Sequence, residues 1–258
     1  MKKMILAAAC ALALAACGSS GGGSVSYNSS VSKGSSGSTG SSGAAPATAR
    51  VQSGKNYFVV ANGKQQLAFP DAAKIRKLNV NGVEFDLTDG RYGAQVNNGW
   101  RSFGNGLMAG QRPPAGVESF NVWVGSNNTT AGVITAIANG EKQRFAFFNG
   151  KPTDVKQLPS GRVVYDVGVV STSPAGSFMT RSLDVTADFA TKKVSANIER
   201  TAGNNGIVLN ADIKGNRFES PKGAATSVQG GFFGNGAAEI GGVFANGQTV
   251  GAFVGKKK

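Results

Sequence analysis

From Lys55 onward, apolar and polar residues alternate through most of the chain with a period of two, the spacing of strands that bury one face. Tyr57-Phe-Val-Val60 and Gln65-Gln-Leu-Ala-Phe69, separated by Asn62-Gly63, predict a first hairpin, because Asn-Gly tolerates the positive φ that a tight hairpin turn demands. Pro70 to Ala73 reads as a turn or a helical crossing. Ile75, Leu78 and Val80, then Val83, Phe85 and Leu87, predict two further strands around Asn81-Gly82. Phe120, Val122 and Val124 share one strand face with Trp123 on the other, and Val133, Ile134 and Ile137 precede Arg144-Phe-Ala-Phe-Phe148. Beyond Pro152 the alternation predicts strands at Val163 to Val170, Ser182 to Phe189, Val194 to Arg200 and Ile207 to Phe218. Val185, Ala187 and Phe189 fall on one face there, and Asp184, Thr186 and Asp188 on the other, as in a wall with a dry and a wet side.

Three glycine-studded apolar runs close the chain between Val228 and Gly255, divided by Gly234-Asn235-Gly236 and Asn246-Gly247. Gly230, Gly231, Gly241, Gly242, Gly251 and Gly255 recur near one phase, and glycine within a strand permits sharp coiling or a close backbone approach. The pattern predicts an all-β protein. A small N-terminal antiparallel β-unit at 50–151 is followed by a C-terminal eight-stranded antiparallel β-barrel at 152–258.

The residues before this head are of another kind. Lys2 and Lys3 precede the apolar run Met4 to Ala13, too short for a transmembrane helix and laid out like a secretory signal over 1–16. Leu14-Ala-Ala-Cys17 has the form of a bacterial lipobox with Cys17 as the lipid acceptor, and Gly18 is compatible with sorting to the outer membrane. Residues 17–49 are then a lipidated cysteine and a tether of Gly, Ser, Thr and Ala, which cannot bury enough apolar surface to offset its ordering entropy. As a Gly/Ser coil the tether spans about 30 Å, enough to lift a head clear of lipid headgroups. More than one acyl chain on the cysteine is what durable anchoring requires. Of the two cysteines, Cys10 leaves with the signal and Cys17 carries lipid, so the head holds together without disulfides.

Phe232-Phe-Gly-Asn-Gly-Ala-Ala-Glu-Ile-Gly-Gly-Val-Phe244, with Gly251-Ala-Phe-Val-Gly-Lys-Lys-Lys258, resembles the closing hairpins of the transferrin-binding protein B barrel. That element is shared with factor H-binding protein and the hemophilin-like proteins. Arg76 to Gly90 is similar to a hairpin of the factor H-binding protein's N-terminal domain, and Thr153 to Gly168 to its junction and first barrel strand. The resemblance implies a surface-exported lipoprotein with a handle-like N-terminal domain. It also implies non-enzymatic capture of a host molecule (transferrin, haem or factor H) and export by a surface-lipoprotein translocon.

Charge and composition narrow the chemistry. Without Lys2 and Lys3 the chain keeps 25 basic residues against 14 acidic ones, a formal charge of +11. Such a field favours an anionic partner such as a sialylated or sulfated glycan, a lipopolysaccharide phosphate or an acidic protein; equally, it supports solubility. Nothing resembles a nucleic-acid module, and no such partner is expected. There is no histidine, which removes histidine-dependent nucleophiles, histidine zinc sites and a histidine haem ligand. Asp184 and Asp188 could meet on one wall, but solvated outward positions fit them better than a catalytic pair. No enzyme, metal or cofactor is expected. Haem, which hemophilin-like relatives capture, would need Tyr57, Tyr92 or Tyr165, though a strand tyrosine is more often a packed residue.

The least regular stretch of the head, Tyr92 to Val117, carries Trp100, Arg101, Phe103, Met108 and Arg112. Aromatics and arginine dominate interface hot spots, so these five are partner-binding candidates; equally, Trp100 and Phe103 could anchor a long loop. The expectation is a lipid-anchored, surface-exposed outer-membrane protein that captures a host protein or iron source. Its rival is a periplasm-facing lipoprotein acting as a small-molecule carrier or envelope scaffold.

Overall fold

A computed structural model describes residues 50–52, 57–61, 67–68, 75–80, 83–96, 99–104, 116–138, 141–174, 176–199 and 206–258. All of them belong to one compact unit, Ala44–Lys258. In chain order the first half gives β1 (Arg50–Gln52), β2 (Tyr57–Ala61), β3 (Leu67–Ala68), β4 (Lys77–Val80) and β5 (Val83–Asp86). They are followed by β6 (Ala94–Val96), β7 (Trp100–Phe103), β8 (Val117–Trp123), β9 (Thr129–Ala138) and β10 (Glu141–Gly150). The second half gives β11 (Arg162–Ser173), β12 (Gly176–Asp188), β13 (Lys193–Ile198) and β14 (Ile207–Lys214). It ends with β15 (Arg217–Glu219), β16 (Ser227–Phe233), β17 (Glu239–Asn246) and β18 (Thr249–Lys257).

The second half is a closed eight-stranded antiparallel barrel running from β11 to β18, sealed by pairing of β11 with β18. Its polar-apolar alternation sets the inside: Val194, Ala196 and Ile198 on β13 and Ile207, Leu209, Ala211 and Ile213 on β14 all point inward, with exposed residues between them. The glycines take their place in the same logic. Inward Phe218, Phe244 and Phe253 stand directly opposite Gly230, Gly251 and Gly242 across the ladders. A Cβ on Gly242 would lie 2.6 Å from the Phe253 ring, so the missing side chain is the space into which the ring lies. Phe232 gathers Tyr165, Phe189 and Phe218 around it, and the barrel interior is filled by side chains.

The first half is a seven-stranded antiparallel sheet in the order β1-β2-β10-β9-β8-β7-β6, with a three-stranded sheet β3-β4-β5. Continuous apolar character in β9 and β10 becomes burial on both faces. Phe145, Phe147, Ile134, Phe120 and Val122 form a core on one face with Leu78 and Leu87. Trp100, Ala131, Val133, Ala146 and Phe148 on the other face pack against Phe233, Val243, Ala245, Val250, Ala252 and Val254 on the outside of the barrel. That second contact explains why β17 and β18 are buried at almost every position while β13 and β14 alternate.

Three expectations change. Tyr57–Ala61 does not hairpin with the following strand but lies between β1 and β10, while Leu67–Ala68 pairs with β4. Ile207 to Phe218 is two strands, broken where Gly215 takes φ +62. Trp100–Phe103 is not irregular loop but strand β7, paired with β6 and β8.

Candidate functional site

Where the sheet's β7 end meets the barrel seam, the two tryptophans of the chain come together. Register places Trp100 directly opposite Trp123 in the β7–β8 ladder, and their rings meet edge to face with centroids 5.4 Å apart. Both occupy the barrel-facing side of the sheet. The barrel answers with a glycine: a Cβ on Gly168 would sit 2.6 Å from the Trp100 indole nitrogen, so only glycine lets the ring lie against β11. Gly168 falls where the β11–β12 register shifts between Val167 and Val169, the local kink that a bulge brings.

A cleft of about 650 Å³ opens here, bounded by Trp100, Trp123, Gly168, Asp166 and the Lys256–Lys258 end of β18. Trp100 is 1% exposed, and neither its Nε1–H nor that of Trp123 meets an acceptor among the described residues. On the barrel side, Asp166 and Lys256 stand directly across the β11–β18 ladder. Lys256 is two residues beyond Val254, whose outward side packs in the tryptophan core, so strand alternation puts both on the outer face. Ser182 donates its hydroxyl to Asp166 Oδ1 at 2.7 Å. Lys258 pairs with Asp184 at 2.5 Å, and this hydrogen bond holds the ammonium pKa above its ordinary value. The cleft therefore combines two tryptophan rings, whose N–H groups are shut off from solvent, with a carboxylate that already accepts from Ser182 and cationic side chains on one rim.

The five sequence-derived partner candidates divide. Trp100 and Phe103 lie on opposite faces of β7, Trp100 in the core against the barrel and Phe103 stacked on Phe120 at 5.4 Å in the other core. Their burial gives both a packing role within the head. Arg101 is half-buried, with Nε and Nη1 enclosed and no acceptor among the described residues. Met108, Arg112 and the lipid-acceptor Cys17 lie outside the described residues. Sequence reasoning missed the partnership of Trp123 with Trp100, and with it Asp166 and Lys256. The available signal was Trp123 itself, a large residue out of phase with Phe120, Val122 and Val124.

Other candidates are occupied structurally. The Tyr165 hydroxyl donates to the Ala237 carbonyl at 2.9 Å inside the barrel, and burial pushes its pKa well up. Asp188 accepts from the Thr191 amide at 2.9 Å, which holds its carboxyl pKa low. Among the described residues no group of three or more metal-ligating side chains comes together.

The comparisons bear on the barrel. Residues 153–257 match the family model described as the C-lobe and N-lobe beta barrels of Tf-binding protein B. The second half of the chain is a transferrin-binding protein B-like β-barrel domain. No curated protein matches the chain. Among solved structures, isotype 1 transferrin-binding protein B of serogroup B Neisseria meningitidis is similar at 19% identity and TM-score 0.49, over 72% of this chain and 40% of that one. A variant of the Haemophilus parasuis transferrin-binding protein B aligns at 14% identity and TM-score 0.48, over 72% and 41%. The N-lobe of lactoferrin-binding protein B of Moraxella bovis aligns at 16% identity and TM-score 0.33, over 52% and 77%. The chain thus spans about two-fifths of the length of the first transferrin-binding proteins it resembles, 40–42%.

Proposed function

We propose that the protein is a non-enzymatic lipoprotein, anchored in the outer membrane through Cys17 and exposed at the cell surface, whose all-β head captures a host protein of the transferrin or lactoferrin kind. The carrying observation is the match of residues 153–257 to the transferrin-binding protein B barrel model. The filled interior supports capture on the outside over carriage of a cargo within, since Tyr165, Phe218, Phe232, Phe244 and Phe253 occupy the lumen that a carrier would need. The leader, the lipobox and the Gly/Ser tether supply the means of anchoring and display.

Protease treatment of intact cells, with a lysed control and detection by antibody to the head, tests the display. The head is expected to be cut from whole cells, after which host transferrin and lactoferrin are the first baits for capture. Survival of the head until lysis would overturn the proposal and leave the periplasm-facing carrier or scaffold in its place. With a formal charge of +11 after the leader, capture of an acidic surface should weaken as salt rises.

A further inference from the structure

We propose that Asn235, in the exposed turn between β16 and β17, is a site of spontaneous deamidation whose isoaspartate product loosens the end of the barrel. The reaction needs only water and the loop itself, on either side of the membrane.

Three Asn-Gly pairs lie wholly among the described residues, and the fold treats them differently. A glycine after asparagine leaves the following amide nitrogen unscreened by a side chain, so that nitrogen can approach the asparagine side-chain carbonyl. Asn149-Gly150 is closed to this chemistry. Both residues sit in the β9–β10 ladder, Asn149 is 4% exposed, and the Gly150 N–H donates to Asn149 Oδ1 at 2.9 Å. Asn246 is half-buried and paired with Thr249 in the β17–β18 ladder, and its Nδ2 donates to Thr226 Oγ1 at 2.9 Å. Asn235 has neither restraint. It is exposed, lies outside both neighbouring strands, and its side chain makes no hydrogen bond among the described residues. A Cβ on Gly236 would meet nothing within 4 Å, so there is open space for a ring to close and for water to enter.

The step balances with water as the one co-reactant. The Gly236 nitrogen attacks Asn235 Cγ and loses its proton; the Cγ–Nδ2 bond breaks, and the side-chain nitrogen leaves as ammonia from the succinimide so formed. Water then opens the ring at either carbonyl. One opening gives aspartate, and the other gives isoaspartate, in which the backbone runs through one more carbon.

That added carbon falls between two fixed points. On one side, Gly234 donates its amide to the Lys151 carbonyl and accepts from Thr153 Oγ1, at 3.1 and 2.7 Å. On the other, Ala237, buried at φ +56, accepts from the Tyr165 hydroxyl at 2.9 Å, and Ala238 accepts from the Lys257 amide at 3.0 Å. A non-glycine residue keeps such a φ only where its surroundings hold it, so a longer loop releases Ala237 and with it the Tyr165 bond.

Purified full-length protein in detergent is aged at neutral and at mildly alkaline pH. Peptide mapping by mass spectrometry follows each Asn-Gly pair and separates isoaspartate from aspartate. Asn235 is expected to convert several-fold faster than Asn149 and Asn246, and faster at the higher pH, because the attacking nitrogen must give up its proton. In denaturant the three rates should converge. The unfolding midpoint of the native protein should fall as isoaspartate accumulates, while Asn235→Gln, whose longer side chain closes a ring far more slowly, holds its midpoint. Asn235 left intact in the folded protein, conversion of Asn149 or Asn246 at an equal or higher rate, or an equal fall of midpoint in folded Asn235→Gln would each overturn the proposal.

Discussion

Gly251 shows how much one absent methyl can govern. It faces inward on β18 directly opposite Phe244, and a Cβ there would overlap the Phe244 ring. Gly251→Ala is therefore expected to lower stability by about 1–3 kcal/mol, the usual cost of overpacking a filled core, as measured by denaturant unfolding. Trimming the ring with Phe244→Leu in the same chain should recover part of the loss, so that the two changes are non-additive. Strictly additive effects would show that the glycine serves only backbone curvature. The Gly168–Trp100 contact obeys the same physics on the outside of the barrel, where the backbone must come close enough for an indole to lie on it.

At the scale of elements, a buried polar knot ties the β8–β9 loop to the start of β17. Ser126 donates its hydroxyl to a Glu239 carboxylate oxygen, and Asn128 Nδ2 donates to the other oxygen at 2.8 Å. The Ser126 hydroxyl accepts in turn from the Asn128 and Thr129 amides at 3.2 Å, while Arg76 donates to the Ser126 carbonyl at 2.5 Å. Glu239→Ala leaves Ser126 and Asn128 with donors and no acceptor in a site that is nearly dry. It should cost about 2–3 kcal/mol, and amide exchange at Asn128 and Thr129 should speed up ahead of global unfolding. Exchange that rises only with global unfolding would show the loop to be held by packing instead. The same scale explains the break between β14 and β15. Ile213 and Phe218 both point into the barrel although they lie five positions apart, an odd offset, so the period of two slips at Gly215-Asn216.

For the whole molecule, the decisive contact is the sheet laid on the outside of the barrel. Val243, Ala245, Val250, Ala252 and Val254 are buried only because Trp100, Val133, Ala146 and Phe148 cover them. Residues 152–258 expressed without the sheet would expose that contiguous apolar surface. They are expected to bind a hydrophobic dye and to self-associate, whereas the complete head should unfold in a single transition by fluorescence and by circular dichroism. A monomeric, dye-silent isolated barrel would show that the two halves are independent partners. Between Gly150 and Arg162 the chain passes from sheet to barrel, where Thr153 donates its amide to Phe232 and Gly234 to Lys151, at 2.9 and 3.1 Å. These bonds hold the crossing against the end of β16.

What the sequence determined by itself was everything carried by short-range pattern. The all-β class, the C-terminal antiparallel strands, the one-sided walls such as β13 and the closing glycine-rich hairpins all follow from a period of two punctuated by turns. Its limits fell where partners are distant in the chain. Tyr57–Ala61 lies beside β10 rather than its neighbour, a choice made by pairing across more than eighty residues, which no local turn encodes. Aromatic character alone left Trp100 open as a partner-binding residue or a packing anchor, because it does not say which body will cover the ring; the contact with Gly168 and the outer face of the barrel is a tertiary fact. The cleft exists only after two sheets have closed on each other. Its tryptophan rings come from β7 and β8 and its charges from β11 and β18, and only the packing of sheet on barrel brings them to one place.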